Sequence, residues 1–417
     1  MIKAEILNIG DEILYGQITN TNAQWMSAEL DKIGVRVIHH TVVADAEKDI
    51  LEALHEAEQR ADVILLTGGL GPTKDDITKK TLCKFFNTHL VRNQEALQFI
   101  TKIFESRGKE MLEVNRQQAD LPANALYIPN LKGTAPGMWF ERGQKVFVSM
   151  PGVPYEMKFL MQSFVLEHIQ KTFQTPHIFH KMIKTIGIGE SFLAKEIEQW
   201  EDALPPHIRL AYLPSFGMVR LRLTGFGDSQ EKIKAEVEAQ MQAILPKIDK
   251  YVYGFDEEEL PEVVAKLLIK QEKTLAIAES CTGGLISHTF TQHEGASKFL
   301  KGALVAYSNS IKTEILGVRP ETLEQYGAVS EQTVLEMASN IRKLFKTDIG
   351  IASSGIAGPN GATETKPVGT IWVAYADEKE TVAKMYQLTN DRAVNVQVTT
   401  NLLIDWLRRK QGGRAGE

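Results

Sequence analysis

Ser280 and Lys312 are the pair on which a covalent reaction is most readily built. Ser280 stands in Glu279-Ser280-Cys281-Thr282-Gly283-Gly284, directly after the apolar run Thr274 to Ala278. A strand, a turn and a helix therefore meet at a corner. Such a corner exposes a hydroxyl at a sheet edge and aims the first N–H groups of the helix at an anion or oxyanion. A serine hydroxyl is a poor nucleophile until a neighbouring base takes its proton. His288 and His293 follow closely but lie outside the corner. Lys312 is the better base, since it ends Tyr307-Ser308-Asn309-Ser310-Ile311-Lys312 just after another apolar strand. A partly desolvated lysine has a lowered pKa, and Tyr307 is placed to relay or orient the proton. A second glycine-rich loop, Ser354 to Gly361, suits close backbone approach to a phosphate or ribose, with Lys366 just beyond it. Each motif also has an ordinary reading. The serine serves as a helix N-cap, the lysine as a solvated helix side chain, the glycines as turns and Cys281 as a small buried residue.

A different set lies near the N-terminus: Gly10-Asp11-Glu12, Asn20-Thr21-Asn22, Asp45, and Thr67-Gly-Gly-Leu-Gly-Pro72 running on to Asp75, Asp76 and Thr78. Asn130 to Gly137 and Pro151 to Met157 follow. Paired carboxylates after a glycine loop suit a hard divalent cation bridging a diphosphate, because such ions prefer oxygen ligands and keep water. The plain alternative is that Asp75 and Asp76 cap a helix.

These side chains need elements to hold them. Ala4 to Ile9, Val35 to His40 and Ala61 to Thr67 read as strands, alternating with helical patterns through Ala23 to Leu30, Asp49 to Arg60 and from Thr78. That alternation implies βαβ units and a mostly parallel sheet, with ligands beyond the carboxyl ends of its strands. Near Gln170 the texture changes. Lys184 to Gly189, a hairpin from Ile208 to Leu213 and Met218 to Thr224, and a helix from Ser229 to Leu245 make a small α+β module without convergent reactive groups. Phe255-Asp256-Glu-Glu-Glu259 reads as a solvated linker or helix start. A second α/β domain follows, with strands at Thr274 to Ala278, Leu304 to Tyr307, Ile349 to Ser353 and Thr370 to Ala376 and helices between them. The expected fold class is thus α/β: two separate three-layer α/β domains with mostly parallel sheets, joined by a small α+β module. The partition is 1–168, 169–255 and 256–417.

Composition bounds the function. Hydrophobic residues at 43% and charged residues at 24% describe a soluble globular protein, and 417 residues exceed one ordinary domain. The formal net charge of −6 argues against direct nucleic-acid binding, which needs a basic face. Two distant cysteines, Cys83 and Cys281, point to a reducing cytoplasm. No signal peptide and no run of the ~18 apolar residues needed for a membrane span is visible.

Taken together, AESCTGG at 278–284, AYSNSIK at 306–312, GAVSE at 327–331, SSGIAGPNG at 353–361 and KPVGT at 366–370 resemble the nicotinamide-nucleotide amidase domain at the C-terminus of CinA (competence/damage-inducible) proteins, over about Glu262 to Trp406. The resemblance implies hydrolysis of nicotinamide mononucleotide to nicotinic acid mononucleotide and ammonia. Ser280 would be the nucleophile, with Lys312 and Tyr307 as its activating partners. Thr282, Gly283, Gly355, Ile356, Ala357, Gly358, Gly361, Lys366 and Arg392 would contact substrate. Residues 1 to 168 resemble the molybdopterin-binding-like domain of the same family, which implies metal-dependent cleavage of ADP-ribose to AMP and ribose 5-phosphate. Asp11, Asp45, Asp75 and Asp76 would then be metal or diphosphate ligands and Thr78 their neighbour, the metal's identity being open. The middle module resembles the family's KH-like region, and a spacing or dimerisation role implies a homodimer. The competing expectation is a competence- or damage-linked adaptor, or a molybdopterin-like ligand-binding protein, with vestigial sites.

Overall fold

Strands covered by helices on both faces must be apolar on both faces. Val63–Thr67 is buried at every position, and Ile2–Ile9 from Ala4 onward. In the computed structural model, which describes residues 2–73, 76–106 and 108–413, they lie near the middle of a six-stranded sheet. Its order is Val35–Val43, Ile2–Ile9, Val63–Thr67, Lys145–Met150, Gly137–Arg142, Leu126–Ile128. The first four strands run parallel and the last two turn back antiparallel. The two faces feed separate cores. Ala4, Ile6, Val63, Leu65 and Val148 pack with Met26, Leu30, Met157 and Leu160. Leu7, Ile9, Ile64, Leu66 and Phe147 pack with Ile50, Leu54 and Leu82 on the other side. This makes three layers.

The chain divides into two compact units, Met1–Phe179 with Gly225–Lys234, and His180–Thr224 with Ala235–Glu417. The second unit holds a five-stranded sheet ordered Leu300–Val305, Leu275–Glu279, Ile349–Gly355, Thr370–Ala376, Thr381–Gln387. Its first three strands are parallel and its last two antiparallel. Leu275, Ile277, Ile351 and Val373 face Leu260, Val264 and Leu268 of the helix Leu260–Lys270 and Leu403 and Leu407 of the helix Arg392–Lys410. The opposite face is built from Ala276, Ala278, Ala352, Ala374 and Ala376 against Val334, Met337, Ala338 and Ile341. Small side chains there let the helix Glu331–Phe345 lie almost on the strand backbone. A Cβ added at Gly350 would stand 2.2 Å from the Ala338 carbonyl oxygen.

The α+β module contributes a four-stranded sheet ordered Ile208–Ser215, Met218–Gly227, His177–Ile186, Val252–Phe255, with helices Glu190–Asp202 and Gln230–Ile248. Ile186 and Tyr253 belong to the same core as Leu260, Val264 and Leu407. Asn401 Nδ2 donates to the Phe216 carbonyl at 3.1 Å, and Arg409 Nη1 to that of Lys250 at 2.7 Å.

Two sequence expectations are corrected. The acidic run at 255–259 is as expected, with Asp256, Glu257 and Glu259 exposed and the helix Leu260–Lys270 starting directly after it. Its carboxylates are also paired: Asp256 with Lys181 and with Met182 N at 3.0 Å, and Glu259 with Lys184 Nζ at 2.7 Å. Lys184 is 4% exposed, and a cation so buried needs that partner. No helix joins Ile349–Gly355 to Thr370–Ala376; the glycine-rich loop fills that connection and the strands pair antiparallel. Finally, Thr381–Gln387 is a strand that the reading did not assign. It is a half-exposed edge strand, and its lysine and glutamine obscure the alternation. Among the described residues no helix is long and apolar enough to cross a membrane.

Candidate active site

The three parallel strands of the second unit end at one place, where open α/β sheets bind ligands. Ser280 follows Leu275–Glu279. Lys312 lies on the short helix Asn309–Glu314, entered from Leu300–Val305 and capped by Ser308, whose hydroxyl accepts from Ile311 N at 3.2 Å. Ser353 and Ser354 close Ile349–Gly355, and Ser280 N donates to the Ser353 carbonyl at 3.0 Å. Lys312 Nζ lies 3.0 Å from Ser280 Oγ, 2.7 Å from the Ala306 carbonyl oxygen and 3.2 Å from that of Tyr307. The lysine is 1% exposed. Burial lowers its pKa from the ordinary 10.5, the nearby Cys281 thiol acting in the opposite direction. The two carbonyls fix the rotation of the amine. When neutral, it spends both N–H groups on them and turns its lone pair to the serine hydroxyl. The Cys281 thiol is itself pushed up to about 12 by burial and stays protonated.

The corner that carries Ser280 is organised by a residue the sequence reading passed over. Glu279 is fully buried. Its Oε2 accepts from Thr282 Oγ1 at 2.7 Å, Gly284 N at 3.0 Å and Ile286 N at 3.1 Å. Its Oε1 accepts from Ser287 N at 2.9 Å and Ser287 Oγ at 2.8 Å. This corrects the expectation that the helix start faces substrate. The N–H groups at the start of Leu285–Thr291 are taken by the protein's own carboxylate, which the helix dipole also favours. The turn itself needs Gly283 and Gly284 at φ of 61° and 103° in succession, which only glycine adopts without strain. The signal that marks Glu279 is an apolar strand ending in a carboxyl-bearing residue just before a Ser-x-Thr-Gly-Gly corner.

The remaining expected residues separate into those at the opening and those that brace it. Thr282 is buried, and its hydroxyl is spent on Glu279 and, at 2.7 Å, on Ser353 Oγ; it braces the corner. Gly283 is exposed on the turn. Tyr307 reaches Lys312 through its main-chain carbonyl, while its exposed hydroxyl accepts from Arg392 Nη2 at 3.0 Å. Arg392 also donates from Nη1 to the Gly358 carbonyl at 3.0 Å, so one guanidinium joins the Tyr307 segment to the glycine-rich loop. Asn395, one turn further along that helix, holds the Ala357 carbonyl at 2.9 Å and was not foreseen. Gly355 is set by packing, since a Cβ there would meet Ile371 Cδ1 at 2.3 Å. Ile356 pairs through its backbone with Thr370 and Gly369, and Gly361 stands exposed on the loop. Lys366 Nζ donates to the Tyr326 carbonyl at 2.7 Å, which ties the loop to the segment 326–331. There Ser330 caps the helix Glu331–Phe345.

In the first unit the glycine loop, Asp45 and Asp76 line one cleft of about 540 Å³, together with Glu12 and Glu156. Asp45 Oδ2 accepts from Asp11 N at 3.1 Å, so Asp11 meets Asp45 through its backbone. Asp76 accepts from Thr73 N at 2.8 Å and from the Thr73 hydroxyl. Thr78 is fully buried with its hydroxyl on the Gly68 carbonyl at 3.2 Å, and so braces the loop. Asp75 lies outside the described residues. Among the described residues, no three His, Cys, Asp or Glu side chains stand together as a metal centre. The hard oxygen donors that line the cleft fit a divalent cation that takes one or two carboxylates and draws its remaining ligands from phosphate and water.

Three family models match consecutive parts of the chain: the probable molybdopterin binding domain at residues 5–171, the damage-inducible protein CinA KH domain at 180–254 and the CinA C-terminal domain at 257–411. A CinA-like protein of Cytophaga hutchinsonii is 52% identical over 409 residues, covering 98% of each chain. A CinA-like protein of Flavobacterium psychrophilum is 41% identical over 411 residues, again 98% of each. Among solved structures, a competence or damage-inducible protein from Enterobacter asburiae is 37% identical, covering 37% of this chain and 99% of its own, with a TM-score of 0.36. On the two near full-length relatives and the three matching domains in their order, the chain belongs to the CinA family.

Proposed function

We propose that the second unit hydrolyses the carboxamide of nicotinamide mononucleotide, releasing ammonia and nicotinic acid mononucleotide through an acyl-serine on Ser280. The observation that carries this is the buried Lys312 Nζ, held by two carbonyls and 3.0 Å from Ser280 Oγ. Neutral Lys312 takes the hydroxyl proton as Oγ attacks the carboxamide carbon, and the carbonyl electron pair moves onto oxygen. The N–H groups of Cys281 and Thr282, which Glu279 does not use, are the donors left at the corner for that oxyanion. Collapse breaks the C–N bond, and Lys312 returns its proton to the departing nitrogen, which leaves as ammonia. Water then attacks the ester and gives a proton to Lys312. Cleavage of the acyl C–O bond yields the carboxylate and restores Ser280. Arg392, exposed and with donors beyond its two structural bonds, meets the substrate phosphate.

For the first unit the proposal is metal-dependent hydrolysis of ADP-ribose to AMP and ribose 5-phosphate. Asp45 and Asp76, with Glu12, would hold a divalent cation, which supplies charge neutralisation on the diphosphate. The backbone of Gly68 to Gly71 gives the phosphates close approach. The deciding experiment for the amidase is ammonia release from nicotinamide mononucleotide by the pure full-length protein. Absence of release at every pH at which the protein stays folded removes the hydrolase reading and leaves a binding role.

A further inference from the structure

The strand Thr381–Gln387 and the last turn of the helix Arg392–Lys410 enclose a pocket of about 450 Å³, lined by Val382, Ala383, Lys384, Trp406, Arg409 and Lys410. Its cations outnumber the carboxylates that serve them. Asp405 pairs with Arg408 at 2.8 Å and with Arg409 at 2.6 Å, and Glu380 pairs with Lys410. Lys384 is left over. Among the described residues it has neither a carboxylate nor a hydrogen-bond partner, and its Nζ stands 4.7 Å from the centre of the Trp406 ring. Burial lowers its pKa from the ordinary 10.5, and Arg409 and Lys410 lower it further, against a smaller opposing pull from Asp405. The amine therefore sits in a positive field.

Two ordinary explanations fall short. Arg408, Arg409 and Lys410 answer the helix dipole, which favours cations in a last turn, but Lys384 comes from a different element. A lysine can also guard a sheet edge against stray pairing. That task does not require a place on the helix-facing side of the strand, which Lys384 shares with Val382 and Tyr386, beside two further cations. A ligand accounts for the arrangement. Lys384, Arg408, Arg409 and Lys410 share only Asp405 and Glu380, so two positive charges are in excess, which matches a dianion. A tetrahedral phosphate accepts donors from several directions, and lysine and arginine give it charge-assisted bonds. The whole chain carries a net charge of −6, which disfavours an extended polyanion and leaves a small one. We infer that this pocket binds a phosphate dianion, as inorganic phosphate or as a phosphomonoester, through Lys384, Arg409 and Lys410. The amidase loop is held by Arg392 at the other end of the same helix, roughly 25 Å away at 1.5 Å per residue, so the two sites are separate.

The test uses the full-length protein at about pH 8, where phosphate and its monoesters are dianions, and at low ionic strength, where screening is weakest. Inorganic phosphate and phenyl phosphate are titrated by calorimetry into the wild type, Lys384→Ala, Lys384→Arg and Lys343→Ala. Phosphate sites elsewhere are common to all four proteins, so the part of the binding that depends on Lys384 reads this pocket. Lys384→Ala should weaken that binding by about tenfold or more, the loss of one charge-assisted bond, while Lys384→Arg should stay within about threefold of the wild type. Lys343 lies on the helix Glu331–Phe345, across the sheet, and its removal takes away the same charge without touching the pocket. Tighter binding of phenyl phosphate assigns a phosphomonoester whose body rests on Val382 and Ala383; equal or weaker binding assigns the free ion. Either result supports the site. No binding of either probe, an unchanged affinity in Lys384→Ala, or an equal loss in Lys343→Ala overturns it. Should Lys384→Ala fail to fold, Lys384→Gln keeps most of the stem over Trp406 and is read in the same way.

Discussion

Replacing Glu279 by glutamine tests whether the nucleophile's corner is held by this one buried side chain. The carboxylate serves three donors on Oε2 and two on Oε1. A glutamine has one oxygen. Turned toward the group of three, it presents its NH2 to Ser287. The Ser287 hydroxyl can escape, because it already donates to the Gly284 carbonyl at 2.9 Å and can accept from the new amide. The Ser287 N–H has no such choice and loses its acceptor, a loss worth about 1–3 kcal/mol. The surviving bonds also lose their charge assistance, which roughly halves them. A total on the order of 2–3 kcal/mol, at about 2–4 °C per kcal/mol for a unit of this size, lowers its melting temperature by roughly 4–12 °C. Calorimetry on the full chain reads this directly, with the first unit's transition as an unshifted internal control. Because Thr282 and the turn carry Ser280, ammonia release should also fall in kcat more than it changes KM. A Glu279→Gln protein whose second unit melts with the wild type and turns over normally would refute the argument, since all five donors would then have found other acceptors.

Ser280→Ala should abolish ammonia release while nucleotide binding, followed by calorimetry, stays within about threefold, because only the attacking atom is lost. Burial lowers the Lys312 pKa, so the amidase rate should rise with pH through that depressed value, below 10.5, as the amine becomes neutral. The same group binds its proton less tightly folded than unfolded, so its penalty on stability is full below the folded pKa and fades as pH climbs toward 10.5. Lys312→Arg, which stays charged, should lose turnover nearly as completely as Lys312→Ala; near-normal turnover would sink the Ser–Lys mechanism. Arg392→Ala removes the link between Tyr307 and Gly358 together with a phosphate donor, and should raise KM roughly tenfold or more with a smaller change in kcat. Asp45→Asn with Asp76→Asn should remove metal-dependent ADP-ribose cleavage and spare ammonia release; loss of both activities would mean that the substitutions damage the fold.

The legible parts of this protein are those written in short stretches. Val63–Thr67 and Leu275–Glu279 announce themselves as apolar runs closed by glycine corners, and the positions of Ser280 and Lys312 follow from the strand ends that carry them. The rest depends on pairings across long spans. Nothing near Tyr307 says that its hydroxyl will meet Arg392, 85 residues away. Glu279 reads as a polar strand end until the helix beyond it folds back onto its oxygens. The edge strand Thr381–Gln387 lacks a clean alternation because part of it faces water.

The seam between the KH and C-terminal family matches, at residues 254–257, is not a seam in the folded protein. Ile186 and Tyr253 complete the core formed with Leu260, Val264 and Leu407, and Lys184 leans on Glu259 across the join. A recombination event that moved the C-terminal segment alone into another gene would leave an apolar face open on it and a buried lysine stranded on the piece left behind. A chain that carries the C-terminal segment without the KH module must cover that face with other side chains.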